Sequence, residues 1–293
     1  MTLLDFLLQQ AANGIVAGMG YALVALGLTL LFGVMDIINF AHGEFYTLCA
    51  YLLFPAGQGL GLGYPGSAAA AIAATLVADA VVERITVRPV LTRDPLSVMV
   101  VTFGVGLFLM NLLQAVYTPT PLAVNTPFQG IVRLGPVFLT TQKLLVVAVG
   151  VLAFAGLHLM IMHTTLGRMI RATAQQSTAA ALVGIRVHRI HTIVFALSAG
   201  LAGLAGVLLG PTTNIYPTMG QLVIIKGFVV VILGGMGSIF GAAAGGLLLG
   251  LAEALAASVM PGEWTGVIGF AILILTLLFR PQGLLTSTDK VRQ

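Results

Sequence analysis

FLLQQAANGIVAGMGYALVALGLTLLFGV, residues 6–34, contains no charged side chain. A helix needs about 20 apolar residues to cross a bilayer, so this run is long enough to cross one alone. The rest of the chain has the same character: its 293 residues are 58% hydrophobic and 8% charged, with a mean hydropathy of +1.06. A soluble domain carries about 25% charged residues, and a third of that cannot cover a water-facing surface. A soluble enzyme, a disordered chain and a nucleic-acid binder are thereby excluded, which leaves a polytopic membrane protein. At about 20 residues per span the length holds at most about ten crossings, with nothing over for a sizeable soluble domain. No basic residue precedes the first run, unlike a cleaved signal peptide. Cys49 is the single cysteine, so no intrachain disulfide forms.

Further apolar runs cover residues 37–56, 67–82, 96–117, 144–162, 193–209, 222–233, 239–259 and 267–279. Pro and Gly clusters punctuate them: Pro55-Ala-Gly-Gln-Gly with Tyr64-Pro65-Gly66, then Pro119, Pro121, Pro127 and Pro136, then Pro211, Pro217 and Pro261-Gly262. Residues 222–233 make only about 18 Å of helix, short of a hydrocarbon core of about 30 Å. That run needs its flanks or is a re-entrant half-helix. The expected fold is an all-α inner-membrane bundle of about eight transmembrane helices. It forms one domain over residues 1–293, with broken or re-entrant segments near 36–47 and 222–241.

Lys and Arg collect on the cytoplasmic side of membrane proteins. Residues 83–94 hold Arg84, Arg88 and Arg93; residues 164–191 hold Arg168, Arg171, Arg186 and Arg189; the tail holds Arg280, Lys290 and Arg292. These stretches are expected to be cytoplasmic. Residues 118–142, with only Arg133, are expected outside as a proline-rich loop. The N-terminus is outside if residues 37–56 cross fully and inside if they re-enter.

Four GxxxG patterns lie in apolar runs, at Gly14–Gly18, Gly206–Gly210, Gly241–Gly245 and Gly246–Gly250. In lipid such spacing permits close helix packing, with a partner helix in this chain or in another. The densest polar cluster in the apolar region is Asp36-Ile-Ile-Asn39-Phe-Ala-His42-Gly43-Glu44. Gly43 is a candidate helix break. Three readings stand open: an interfacial turn with satisfied caps, a structural polar network around a broken helix, and a substrate contact. One His with one Glu is not a zinc site. A second candidate is residues 232–246, with Gly234-Gly235-Met-Gly237-Ser238 near its start: a tight turn or half-helix break within or near the bilayer, of the kind at which transporters bind ligands, or a plain cytoplasmic turn. Lys226 is expected to snorkel from the external end of its run. Asp79 is expected to be solvated at a helix end beside Glu83 and Arg84, and Glu253 to be structurally paired.

Residues 165–185 are Ala-rich and do not form a span. Arg168, Arg171, Gln175 and Thr178 recur at helical spacing to make one polar face, and Gly184 is placed to stop the helix. Such a helix lies on the inner leaflet or docks a cytoplasmic protein.

The stretch LFGVMDIINFAHGEF, residues 31–45, resembles the permease subunits of branched-chain amino acid ABC importers, the LivH-type permeases. So do Gly167-Arg168, Arg171-Ala172, Gln175 and AALVGI at 180–185, VILGGMGSIFGA at 231–242, and LFRPQGL at 278–284. The resemblance covers about residues 7–285. It implies a second, related permease subunit, two cytoplasmic ATP-binding subunits and an extracytoplasmic substrate-binding protein. It also implies a coupling helix of pattern EAA-x-x-x-G, matched here by residues 178–184 with Thr178 in the acidic position. On that reading Arg168, Arg171, Gln175, Ala180 and Gly184 couple to the ATPases. Asn39, His42, Gly43, Glu44, Gly234, Gly235, Gly237 and Ser238 are candidates for the substrate path. None of the three lysines lies in a P-loop. The chain is therefore expected to be no enzyme and to hold no cofactor, with ATP and Mg on the partner subunits. Similar permeases carry urea, short amides or aromatic acids, and a stand-alone secondary transporter or channel is the alternative from another class. A membrane-embedded enzyme lacks both a metal constellation and a nucleophile with its base.

Overall fold

The computed structural model describes residues 2–59, 63–91, 94–117, 120–122, 128, 130–260 and 265–285. Expectations placed on Arg93, Pro119, Pro127, Pro261, Gly262, Lys290 and Arg292 lie outside the described residues. Each apolar run of the sequence corresponds to one helix, in the order α1 (Leu3–Met35), α2 (His42–Gly59), α3 (Tyr64–Val82), α4 (Pro95–Tyr117), α5 (Thr141–His163), α8 (Val187–Leu209), α9 (Met219–Gly234), α10 (Ile239–Ala256) and α11 (Thr265–Phe279), although residues 37–41 of the second run and 257–259 of the eighth lie outside their helices. Between α5 and α8 lie α6 (Thr165–Gln175) and α7 (Ser177–Leu182). Among the described residues six helices are long and apolar enough to cross a membrane, and α9 and α11 are shorter apolar helices.

Helix α1 is the axis of the bundle. Every residue from Ala22 to Leu31 is buried, as expected for a helix that is apolar on all sides. Its glycines admit α10: a Cβ on Gly18 would lie 2.9 Å from the Leu247 Cα, and one on Gly14 would lie 2.9 Å from the Leu251 Cα. Gly246 and Gly250 make the reciprocal contacts, and Gly206 of α8 lies against α2 at Tyr46. The GxxxG partners are therefore within this chain.

The two ends of the bundle differ in charge. At one end Leu30 and Leu31 cluster with Val87, Ile161, Ile170 and Ile190, which brings the Arg84–Arg88 and Arg168–Arg189 stretches to one side. The backbone of Leu284 and Leu285 bonds to the carbonyls of Leu233 and Gly234 at 2.8 and 3.1 Å, so Arg280 is also near that side. At the other end Gln9 bonds the backbone of Phe138, with its Nε2 3.0 Å from the carbonyl and its Oε1 2.7 Å from the amide. Lys143 Nζ donates to Asn13 Oδ1 at 2.9 Å. The start of α1 thus lies opposite the arginines.

Three local expectations are corrected. Residues 118–142 are not wholly loop: β1 (Ile131–Leu134) and β2 (Val137–Thr140) form an antiparallel hairpin, with Gly135 at φ +62° in the turn. The β-branched residues flanking Gly135-Pro136 carry that preference. Helix α2 runs past Pro55 to Gly59, because prolines are tolerated within membrane helices. The single helix expected over 168–184 is two, since Gln176 takes an extended backbone (φ −158°, ψ 102°) between α6 and α7. Gly184, at φ +86°, sits in the turn that ends α7.

Candidate translocation site

Asp36 ends α1 in the left-handed conformation, φ +57°. The chain then turns back into the bundle without helix until His42 begins α2. His42 meets the carbonyl of Val24 at 3.1 Å. Val24 lies eleven residues before Met35, about 16 Å along α1, so α2 starts about a third of the way up the 33-residue axis helix. It leaves toward the hairpin side, where Leu53 packs in one cluster with Val16. Helix α9 starts beside the first turns of α2 and ends near Gly237, which touches Gly33 of α1. The two segments expected to be broken or re-entrant, near 36–47 and 222–241, hold the non-helical stretch before α2 and the short helix α9.

The cluster around the start of α2 divides by role. Asn39, 2% exposed, caps the helix: its Oδ1 accepts from Ala41 N at 3.0 Å and its carbonyl from His42 N at 3.4 Å. His42 is fully buried, with Nδ1 3.1 Å from Ser198 Oγ of α8. A carbonyl only accepts, so Nε2 carries a proton toward Val24, and neutral His42 accepts from Ser198 through Nδ1. The ring thereby joins α1, α2 and α8. Gly43 is not a break. It lies inside α2, where a Cβ would run into the Gly220 carbonyl of α9 and lie 2.9 Å from the Ile224 Cβ.

Glu44 differs from its neighbours. It is 4% exposed, and its Oε2 has no hydrogen-bond partner among the described residues. It faces α4 at Gly106, where a Cβ would sit 3.6 Å from the Glu44 Cγ. Around it the Phe40 amide donates to Thr102 Oγ1 at 3.2 Å. The Phe40 ring stacks against Phe103 of α4 and Phe228 of α9, with centroids 6.0 and 5.4 Å apart. Gln221 Nε2 reaches Met110 Sδ at 3.1 Å. Phe103 is 54% exposed and Gln221 is exposed, so this junction of α2, α4 and α9, the Glu44 crevice, reaches the outer surface of the chain while Glu44 itself stays covered. It brings a buried carboxyl group and three aromatic rings onto neighbouring elements, suited to a small solute with both a polar and an apolar part.

The glycine turn lies elsewhere. Gly234, Gly235 (φ +101°), Gly237 (φ +82°) and Ser238 sit at the arginine end of the bundle. Ser238 Oγ caps α10 by accepting from Gly241 N at 3.0 Å. The turn locks α9, α10 and the 281–285 segment together and does not meet Glu44.

Lys226 does not snorkel. Its Nζ lies 2.8 Å from Glu253 Oε2 and 2.7 Å from Tyr21 OH, and that hydroxyl donates to the same carboxylate oxygen at 2.8 Å. This intramembrane triad joins α9, α10 and α1. Two opposite lone charges in separate apolar runs were its signal in the sequence; nothing there singled out Tyr21. Asp79 is not solvated either: it is 1% exposed, and neither carboxyl oxygen has a hydrogen-bond partner among the described residues.

On the arginine side Arg171 donates to the Ile161 carbonyl and pins α6 to the end of α5. Arg168 and Gln175 are exposed, while Ala180 is 3% exposed and packs inward. The rest of α7 is exposed, and its tip is the apolar part, where Leu182 and Val183 are 86% and 77% exposed beside exposed Gly184. Among the described residues no three His, Cys, Asp or Glu side chains gather to hold a metal ion.

The family model for the permease component of the branched-chain amino acid transport system matches residues 10–277. The chain belongs to that family. Its relatives include the high-affinity branched-chain amino acid transport permease LivH of Escherichia coli K12, 35% identical in an alignment of 294 positions that covers 96% of each chain. The corresponding BraD of Pseudomonas aeruginosa is 37% identical in an alignment of 292 positions that covers 95% of each. The E. coli permease LivM is more distant, 25% identical over 92% of this chain and 68% of its own. The matched span of this LivH-family permease contains α2 and α9, the Glu44 crevice and the α6–α7 segment.

Proposed function

We propose that the chain is one of two membrane subunits of an ATP-driven importer of the inner membrane, carrying branched-chain amino acids or closely related small amphipathic solutes. The observation that carries this reading is the Glu44 crevice. A buried carboxyl group near the Phe40 backbone, with its Oε2 lacking a hydrogen-bond partner among the described residues, suits an ammonium group, and the neighbouring Phe40, Phe103 and Phe228 rings suit an aliphatic side chain. Helices broken within the bilayer, with their starts near its middle, are where transporters bind solutes. The opening of the crevice on the outside of the chain fits a route shared with a second, related permease, and the similarity to both LivH and LivM supports a pair of unlike subunits.

The arginine side is then cytoplasmic, with Arg280 and the tail, and the hairpin side receives substrate from a soluble binding protein. The exposed tip of α7 and the α6 face with Arg168 and Gln175 dock one of two ATP-binding subunits. ATP and Mg belong to those subunits; this chain holds no cofactor and catalyses no reaction itself. The test is reconstitution of the chain with its second permease, ATPases and binding protein in liposomes. ATP-dependent leucine uptake that disappears without this chain supports the proposal. Leucine uptake by the chain alone, without ATP, overturns it in favour of a stand-alone carrier.

A further inference from the structure

At the arginine end, α3 does not stop cleanly. A π-helical turn, Glu83–Val87, and a 3-10 turn, Arg88–Val90, extend it. Together with the start of α8 this extension encloses a cleft of about 630 Å³ lined by Glu83, Arg84, Arg88, Arg189 and Thr192. Glu83, 2% exposed, accepts from Thr192 Oγ1 at 3.3 Å and stands 3.9 Å from Arg88 Nε. Arg84 and Arg189 have no carboxylate within ion-pair reach among the described residues. Three guanidinium groups therefore outnumber the two carboxyl groups nearby, Glu83 and buried Asp79, and two of the three are free to meet an anion.

A second observation concerns the wall beside the cleft. Val77, Val81 and Ile85 are 65%, 51% and 68% exposed. Their spacing of four places them in one stripe along α3, running from the arginines into the membrane. A free anion has no use for that stripe; a lipid does. Arginine favours phosphate because its planar fork matches the oxygens in pairs. Basic pockets between helices at the cytoplasmic boundary are where acidic headgroups bind.

We propose that this cleft is a site for an anionic phospholipid, with the headgroup phosphate held by Arg84, Arg88 and Arg189 and an acyl chain along Val77, Val81 and Ile85. The site braces the α3 extension against α8 and is separate from the Glu44 crevice. Its occupant does not depend on which solute the importer carries.

The experiment uses the full chain in detergent, titrated with phosphatidylglycerol or phosphatidylcholine of identical acyl chains and read by native mass spectrometry. Preference for phosphatidylglycerol on the order of tenfold or more is expected. Arg84→Gln/Arg189→Gln removes that preference while phosphatidylcholine binding and the helical circular dichroism signal stay unchanged. Arg84→Lys/Arg189→Lys keeps part of it and shows that the fold tolerates change here. Millimolar inorganic phosphate displaces little of the lipid. Equal binding of the two lipids, or a preference that survives the Gln variants, overturns the proposal. Competition by phosphate alone as strong as by lipid identifies a free-phosphate site and also overturns it. Loss of the lipid when the second permease is added shows that a protein surface covers the cleft in the complex, and it overturns the proposal too.

Discussion

Gly43 of α2 and Gly220 of α9 lie backbone against backbone, each at a distance where a Cβ would strike the other's carbonyl. The two helices both begin near this crossing and leave it in opposite directions, α2 toward the hairpin and α9 toward the arginines. The contact sets the position of Glu44, one residue beyond Gly43, and of Gln221, one beyond Gly220. Small residues at such crossings let helix backbones approach in lipid, and here the approach fixes one wall of the crevice.

Gly43→Ala and Gly220→Ala therefore each overpack this crossing. Each is expected to destabilise the chain by about 1–3 kcal/mol and to lower uptake. Thermal unfolding in detergent checks it; an unchanged midpoint for both variants contradicts the crossing.

His42→Ala removes the ring that joins α1, α2 and α8. It leaves Ser198 without its partner and opens a cavity, a loss of about 2–4 kcal/mol. The same unfolding measurement reports it. A His42 variant of normal stability with failed uptake assigns His42 to the solute instead.

The Tyr21–Lys226–Glu253 triad predicts a non-additive pair. Lys226→Met alone strands the Glu253 carboxylate within the bundle and is expected to cost about 3–5 kcal/mol. Adding Glu253→Gln is expected to restore most of that loss. A double-mutant cycle on unfolding free energies decides it: a double variant as unstable as the sum of the single effects denies the coupling.

Exposure separates the tip of α7 from Ala180, the one buried residue of that helix. Leu182→Ser and Val183→Ser are expected to leave the stability of the isolated chain within about 0.5 kcal/mol while reducing co-purification of the ATPase. Ala180→Leu, at a buried position, is expected to destabilise the chain itself. Pull-down and unfolding together distinguish the two effects; undiminished ATPase retention by both Ser variants places docking elsewhere.

The helices were legible because lipid demands long apolar runs, and residues 6–34 and 96–117 supply them without ambiguity. The non-helical stretch before α2 and the short helix α9 were legible from polar density at 36–44 and from the shortness of 222–233. Roles within the first cluster were not, because Asn39, His42 and Glu44 are polar alike in sequence. Only their partners distinguish a cap, a strut and a carboxyl group with one oxygen left unpartnered. The inward side of Ala180 and the break at Gln176 were hidden for a related reason: an alanine-rich helix shows little periodicity. The Tyr21–Lys226–Glu253 contact spans separations of 27 to 232 residues, beyond the reach of any local pattern.

The most direct test of the proposed transport role is Glu44→Gln in the fully reconstituted importer, with leucine uptake and ATP hydrolysis followed in the same liposomes. The account predicts normal assembly and stability, with uptake reduced about tenfold or more, a loss of at least about 1.4 kcal/mol in the rate-limiting step. Leucine uptake at the unmodified rate would contradict it.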